Sequence, residues 1–236
     1  MEEKEITKFI EDRARSGIEY RALEVRATEP EDNTEEFRVE GFATTYDQPY
    51  ILWCEKDYTV TEQVDRHAFD ETEMRDVIMQ YDHSGKVYAR TTNGTLELNH
   101  DNAHGLEVKA DLSKTPGARE LYEEIKGRFI SQMSMGFTVT EDSVDDMGEI
   151  DGVQTYQRTI KKIGRLYDVS RVSIPANYYT EISARSGVLR RSVEQLEAER
   201  IQAEIIKQQA EAREVRKQEL TERLNALINK EETHGN

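Results

Sequence analysis

A β-rich α+β fold, reading as a β-barrel followed by a long C-terminal helix, follows from three features of the sequence. Between Tyr20 and Ile182 short segments alternate polar with apolar residues and are broken by turn residues, the pattern of half-buried strands. One amphipathic stretch, ARELYEEIKG, interrupts them as a helix. After Gly187 and as far as Lys230 there is neither Gly nor Pro but much Glu, Arg, Gln and Ala, which predicts continuous helix.

Taken in order, Tyr20–Arg26 and Glu36–Thr45 alternate around the turn residues of PEDN, Pro30 to Asn33, and read as an opening hairpin. HAFDETEMR, His67 to Arg75, reads as a short helix, and VIMQY, Val77 to Tyr81, as a strand. Asn93-Gly94 and His104-Gly105 mark turns around strands at Thr95–Asn99 and Leu106–Asp111. Thr115-Pro116-Gly117 opens the helix, since Thr caps free amides and Pro tolerates the first helical position, and Gly127 stops it. Phe129–Thr140 is a strand, EDSVDDMGEIDG an acidic hairpin loop without calcium-loop spacing, and Val153–Ile163 and Leu166–Ile174 are two more strands. In the final helix Leu189, Val193, Leu196, Ile201, Ile205, Leu220, Leu224, Leu227 and Ile228 form an apolar stripe broken by Arg200, Lys207, Glu214 and Lys217. That predicts a projecting helix or weak coiled coil. The expected organisation is an N-terminal segment 1–19, a barrel domain 20–185 and a helical tail 186–236.

The chain has 236 residues, enough for one main domain with an extension, and a net charge of -16. Such an acidic chain repels phosphate backbones and anionic membranes, so neither nucleic acid nor membrane is an expected partner. The helical tail carries 19 of the 80 charged residues. Cys54 is the single cysteine, which excludes an internal disulfide and fits a reducing cytoplasm. The acidic N-terminus predicts no signal or transit peptide, and no apolar run reaches the length of a membrane span.

The stretch SQMSMGF, Ser131 to Phe137, carries polar residues inside an apolar strand. Strand alternation gives Met133, Met135, Phe137 and Val139 one face, and Gln132, Ser134 and Gly136 the other. With the Met and Phe face in the core, Ser134 stands on the outer face beside a glycine that leaves room for a peptide backbone. On pattern alone an ordinary exposed strand is the simpler reading.

A serine nucleophile needs a base. Of the five histidines, His234 falls in the tail end and His67 at a helix start. His100 and His104 have metal-like spacing in HDNAH but sit among turn residues, with no glutamate after the first. His83 ends a β-like run before a loop, where functional side chains are often carried. Asp168 is a carboxylate in an apolar strand, suited to orient an imidazole or to pair with Arg171. Cys54 has no histidine beside it in sequence and reads as a packed or partly exposed free thiol. No cofactor or metal is expected.

In chain order, His83 after a strand, Ser134 in MSMGF and Asp168 in YDVSRVSIPAN resemble the tailed-phage prohead proteases, serine peptidases of capsid maturation. The likeness extends from EFRVEGFATTYD at Glu36 to Asn177 and includes GLEVKADL and IKGRFISQMSMGF. Asp168 stands where the family often has Glu, Met135 replaces a common Phe, and VDRHAFDE lacks the usual PGAF form.

The resemblance implies a fold similar to herpesvirus assemblin, a closed β-barrel with surrounding helices and the histidine and serine on its outer surface, with His83 as general base, Ser134 as nucleophile and Asp168 as orienting acid. It implies cleavage of scaffold, or of the scaffold-like region of the major capsid protein, and of the chain itself, inside the prohead in the host cytoplasm. Backbone amides near Gly164-Arg165 are candidates for the oxyanion site. The tail would bind scaffold or self-associate. A non-catalytic scaffold or assembly protein and a metal-dependent hydrolase using His100 and His104 stand as alternatives.

Overall fold

The computed structural model describes residues 18–24, 37–172 and 184–234. Ten strands and two helices are defined there: β1 Glu19–Glu24, β2 Arg38–Thr45, β3 Tyr50–Cys54, β4 Tyr58–Val64, β5 Ile78–Tyr81, β6 Ser84–Arg90, β7 Leu96–Asn99, β8 Gly105–Asp111, α1 Pro116–Lys126, β9 Gln132–Ile150, β10 Val153–Val172 and α2 Ala184–His234. The chain divides into two compact units, Met1–Leu189 and Arg190–Asn236.

The first unit is built on a seven-stranded mixed sheet of order β1-β9-β10-β4-β3, in which β5 also pairs with β10 and β6 with β5. A separate three-stranded sheet runs β2-β8-β7. Among the described residues no ladder closes these sheets, which corrects the expected closed barrel. An isolated bridge, Tyr46 to Val64, links the region after β2 to β4, and a shared apolar core joins the sheets elsewhere. Alternation reveals strands but leaves their partners open. The opening hairpin is corrected for the same reason: β1 pairs with β9 and β2 with β8. Its PEDN turn lies outside the described residues.

Met133, Met135, Phe137 and Val139 occupy the core as their alternation requires, together with Leu166 and Val169 of β10 and Leu121 and Ile125 of α1. Each such buried side chain contributes roughly 1.5–3 kcal/mol. Helix α1 begins as its sequence dictates, with Thr115 Oγ1 accepting from Ala118 N at 3.1 Å. At its end Arg128, and not Gly127, takes the left-handed conformation, at φ 59°.

The stretch 67–75 is a series of turns instead of a helix. Thr72 explains part of this, because its hydroxyl donates to Ile163 O at 2.8 Å, and Glu73 bridges to Arg165. The acidic segment 141–150 is strand, not loop, since β9 and β10 form one long hairpin. Only Asp151 and Gly152 turn, at φ 53° and 79°, the positive values that a two-residue hairpin turn demands. Sequence reading also passes over β3, β4 and β6.

The largest polar feature inside the fold is an ionic cluster. Arg158 of β10 is 2% exposed and lies opposite Glu62 of β4, which is fully buried. Its guanidinium donates to Glu62 at 2.7 Å, Glu19 at 2.6 Å and Asp142 at 2.7 Å. Arg21 of β1 donates to Glu62 at 2.5 Å and to Glu19 at 2.8 Å, and the Tyr50 hydroxyl donates to Glu62. Burial alone would raise the Glu62 carboxyl, but Arg21 and Arg158 outweigh it and hold it down at about 2.

Arg158→Met is therefore expected to destabilise the first unit by roughly 3–5 kcal/mol, since it strands buried carboxylates; urea unfolding checks this. Because the Glu62 carboxyl is depressed on folding, its contribution is fully present above the ordinary carboxylate range and is lost as pH falls towards about 2.

The second unit holds most of α2, whose surface carries Ile201, Ile205, Ile206, Val215 and Leu220 exposed. Ion pairs one turn apart, Glu197 to Arg200 and Glu214 to Lys217, support the helix locally.

Candidate active site

Three elements bring His83, Ser134 and Asp168 together. Strands β9 and β10 pair so that Ser134 faces Ser170 and Gly136 faces Asp168. Strand β5 lies parallel to β10 on its other side, with Ile78 beside Asp168. His83 sits in the tight turn between β5 and β6, where Tyr81 pairs with Ser84. Both turn residues have positive φ, 47° at Asp82 and 55° at His83. Aspartate and histidine tolerate this region better than most side chains, and the Asp82 amide anchors the turn by donating to Arg171 O at 2.9 Å.

The resulting contacts form a chain. His83 Nδ1 lies 2.6 Å from Asp168 Oδ1, and His83 Nε2 lies 2.6 Å from Ser134 Oγ. An ionised carboxylate only accepts, so Nδ1 carries the proton and Nε2 is left to accept from the serine hydroxyl. Ser170 Oγ donates to the same Asp168 oxygen at 2.5 Å and is fully buried. Sequence reading missed Ser170. Its signal was present, because a residue two positions along a strand from Asp168 shares its face.

Gly136 makes the close packing possible: a Cβ there would overlap the Asp168 carboxylate and lie 2.8 Å from Tyr20 Cε1. The room beside Ser134 is thus filled by protein and is not an open face. Ser134 is 0% exposed, and the His83 and Asp168 side chains are 5% and 7% exposed, which corrects the expected outer-surface placement. Part of the physical reason is β1, which runs along the edge of β9 and carries Tyr20 against the His83 ring. Ser131 precedes β9 and is exposed.

Other candidates fall elsewhere. Arg171 is not paired with Asp168; it is fully buried, and its guanidinium nitrogens have no hydrogen-bond partner among the described residues. Burial lowers it to about 10. Arg165 pairs with Thr138, four positions along β9 from Ser134, or about 13 Å at strand spacing. That distance removes the Gly164-Arg165 amides as oxyanion donors.

His67 is exposed and contacts Asp70 at 3.1 Å. His100 lies 3.6 Å from Asp101, and the His104 amide is held by Asn102 at 2.9 Å. No group of His, Cys, Asp and Glu suited to hold a metal ion occurs among the described residues. The His234 side chain lies outside them. Cys54 is exposed, with the Thr59 hydroxyl 3.6 Å from its sulfur. No described helix is long and apolar enough to cross a membrane.

Comparison with known proteins returns no matching curated protein and no matching solved structure. A family model described as caudovirus prohead serine protease matches residues 21–199, a span that contains every element of the hydrogen-bonded chain from Asp168 through His83 to Ser134. The chain belongs to the caudovirus prohead serine protease family.

Proposed function

We propose that this chain is a serine endopeptidase of phage head maturation, with Ser134 as nucleophile, His83 as general base and Asp168 as orienting acid. The observation that carries the reading is the continuous contact from Asp168 Oδ1 through His83 to Ser134 Oγ, at 2.6 Å on each side of the ring. A hydroxyl attacks a peptide carbonyl only when a base receives its proton, and Nε2 is positioned to do so. The imidazolium formed is stabilised by Asp168, and its proton then passes to the leaving amine. Ser170 donates to the same carboxylate oxygen that meets His83 and so holds Asp168 against the ring.

The substrates we assign are scaffold or the scaffold-like region of the major capsid protein, and the chain itself, inside the prohead in the host cytoplasm. Family membership supports the class of substrate. The experiment incubates the chain with capsid and scaffold proteins and sequences the new termini, beside a Ser134→Ala control. New termini that arise equally with the control contradict the reading.

We assign the peptidase to residues 20–185 and a handle for scaffold, or for a second copy, to the tail 186–236, which autocleavage would remove. Support comes from the apolar residues exposed along α2, Ile201, Ile205, Ile206, Val215 and Leu220. A chain ending before 186 is expected to enter proheads at a strongly reduced level, measured by quantitative mass spectrometry of purified heads. Incorporation equal to the full chain contradicts the handle.

A further inference from the structure

Attack on a peptide requires its carbonyl carbon to come within about 3–3.5 Å of the serine oxygen. Ser134 is 0% exposed, so no substrate reaches it in this arrangement. Strand β1 accounts for part of the enclosure. It lies antiparallel to β9 with Ala22 opposite Ser134 and Tyr20 opposite Gly136. Alternation therefore puts Tyr20 on the same face as the nucleophile. The Tyr20 ring meets the His83 ring edge-on, with centroids 4.3 Å apart at 63°, and its Cε1 closes the space above Gly136.

The other face of β1 carries a latch. Glu19 and Arg21 point to the ionic cluster, where Arg21 bonds Glu62 and Glu19 bonds Arg158. Strand β1 is also terminal in its sheet, paired with β9 alone among the described residues. Its departure breaks one ladder and leaves the β9–β10 hairpin and the β5–β6 turn intact. Cover and latch thus alternate along a single edge strand.

We propose that β1 is a movable cover over Ser134, closed in this structure, with Tyr20 as the shutter and Glu19 and Arg21 as the latch. This rests on the peptidase reading above. Opening is a two-state equilibrium, and the rate at which any reagent reaches Ser134 is the open fraction multiplied by the rate at the open site. A latent enzyme results, whose Ser–His–Asp geometry is preassembled while its access is withheld.

The test locks the strand in the full chain. Glu24 and Gln132 are register partners, and directly opposed strand residues fall within the Cα spacing a disulfide spans. Glu24→Cys with Gln132→Cys, in a Cys54→Ser background, is reacted with a fluorophosphonate probe before and after reduction, and the rate of Ser134 labelling is measured. The oxidised form is expected to label at least about tenfold more slowly than the reduced form. Tyr20→Ala is expected to label faster than the parent chain, and Tyr20→Phe like it.

Equal rates for oxidised and reduced forms overturn the cover. If the disulfide fails to form, Tyr20→Ala decides alone, and labelling no faster than the parent overturns the cover. Failure of Ser134 to label in the reduced chain, the parent and Tyr20→Ala alike sinks the peptidase reading itself, and the cover with it.

Discussion

Ser134→Ala is expected to abolish cleavage of capsid and scaffold protein, lowering turnover by at least about 10⁴-fold, while leaving the chain folded. The two halves of this result have separate causes. In the proposed mechanism the hydroxyl is the atom that bonds to the substrate carbonyl, so nothing in the site replaces it. Structurally its removal deletes one oxygen and leaves His83 Nε2 without its 2.6 Å partner, a cost of about 1–3 kcal/mol. Circular dichroism and urea unfolding measure the fold, and sequencing of new termini measures the chemistry. Retained cleavage with an intact fold would remove Ser134 from the mechanism.

Asp168→Asn is expected to lower kcat by roughly 10⁴-fold with little change in KM. Asparagine fills the same space but can present an N–H donor to His83 Nδ1 in place of an acceptor. The imidazole then moves its proton to Nε2, and a protonated Nε2 cannot take the serine proton. Asp168 accepts from both His83 and Ser170 through one oxygen, so an amide NH2 in that place opposes both donors at once. Steady-state kinetics on a peptide taken from a mapped cleavage site checks the split. A loss under about tenfold would mean that another group orients His83.

Local setting marks the candidate residues without joining them: a polar residue beside glycine in an apolar strand, a histidine at the end of a β-like run, a carboxylate in an apolar strand. For Ser134 that setting favours an ordinary exposed strand, and it is the resemblance, with His83, Ser134 and Asp168 in one order, that puts the three together. Their contacts depend on one parallel ladder and one antiparallel ladder. No local pattern encodes which strands pair, and for that reason the opening hairpin and the closed barrel do not hold.

What covers the site was invisible for the same reason. Strand alternation correctly separates Ser134 from the Met133 and Met135 face, yet it says nothing of a neighbouring strand that carries a tyrosine over the Ser134 face. Tyr20 reaches Gly136 across 116 positions of sequence only because β1 pairs with β9. The ionic cluster joins four strands, with Glu19 and Arg21 from β1, Glu62 from β4, Asp142 from β9 and Arg158 from β10. Read singly, these are ordinary charged strand residues. The acidic stretch 141–150 misled in the opposite direction, because its charge suggested a loop while its partner strand continued beside it.

The most direct measurement of the central claim is the residue at which a fluorophosphonate probe becomes attached, mapped by peptide mass spectrometry in the parent chain and in His83→Ala. A hydroxyl activated by His83 predicts a single adduct on Ser134 in the parent and none in the variant. An adduct on another serine, or equal labelling of Ser134 without His83, would contradict it.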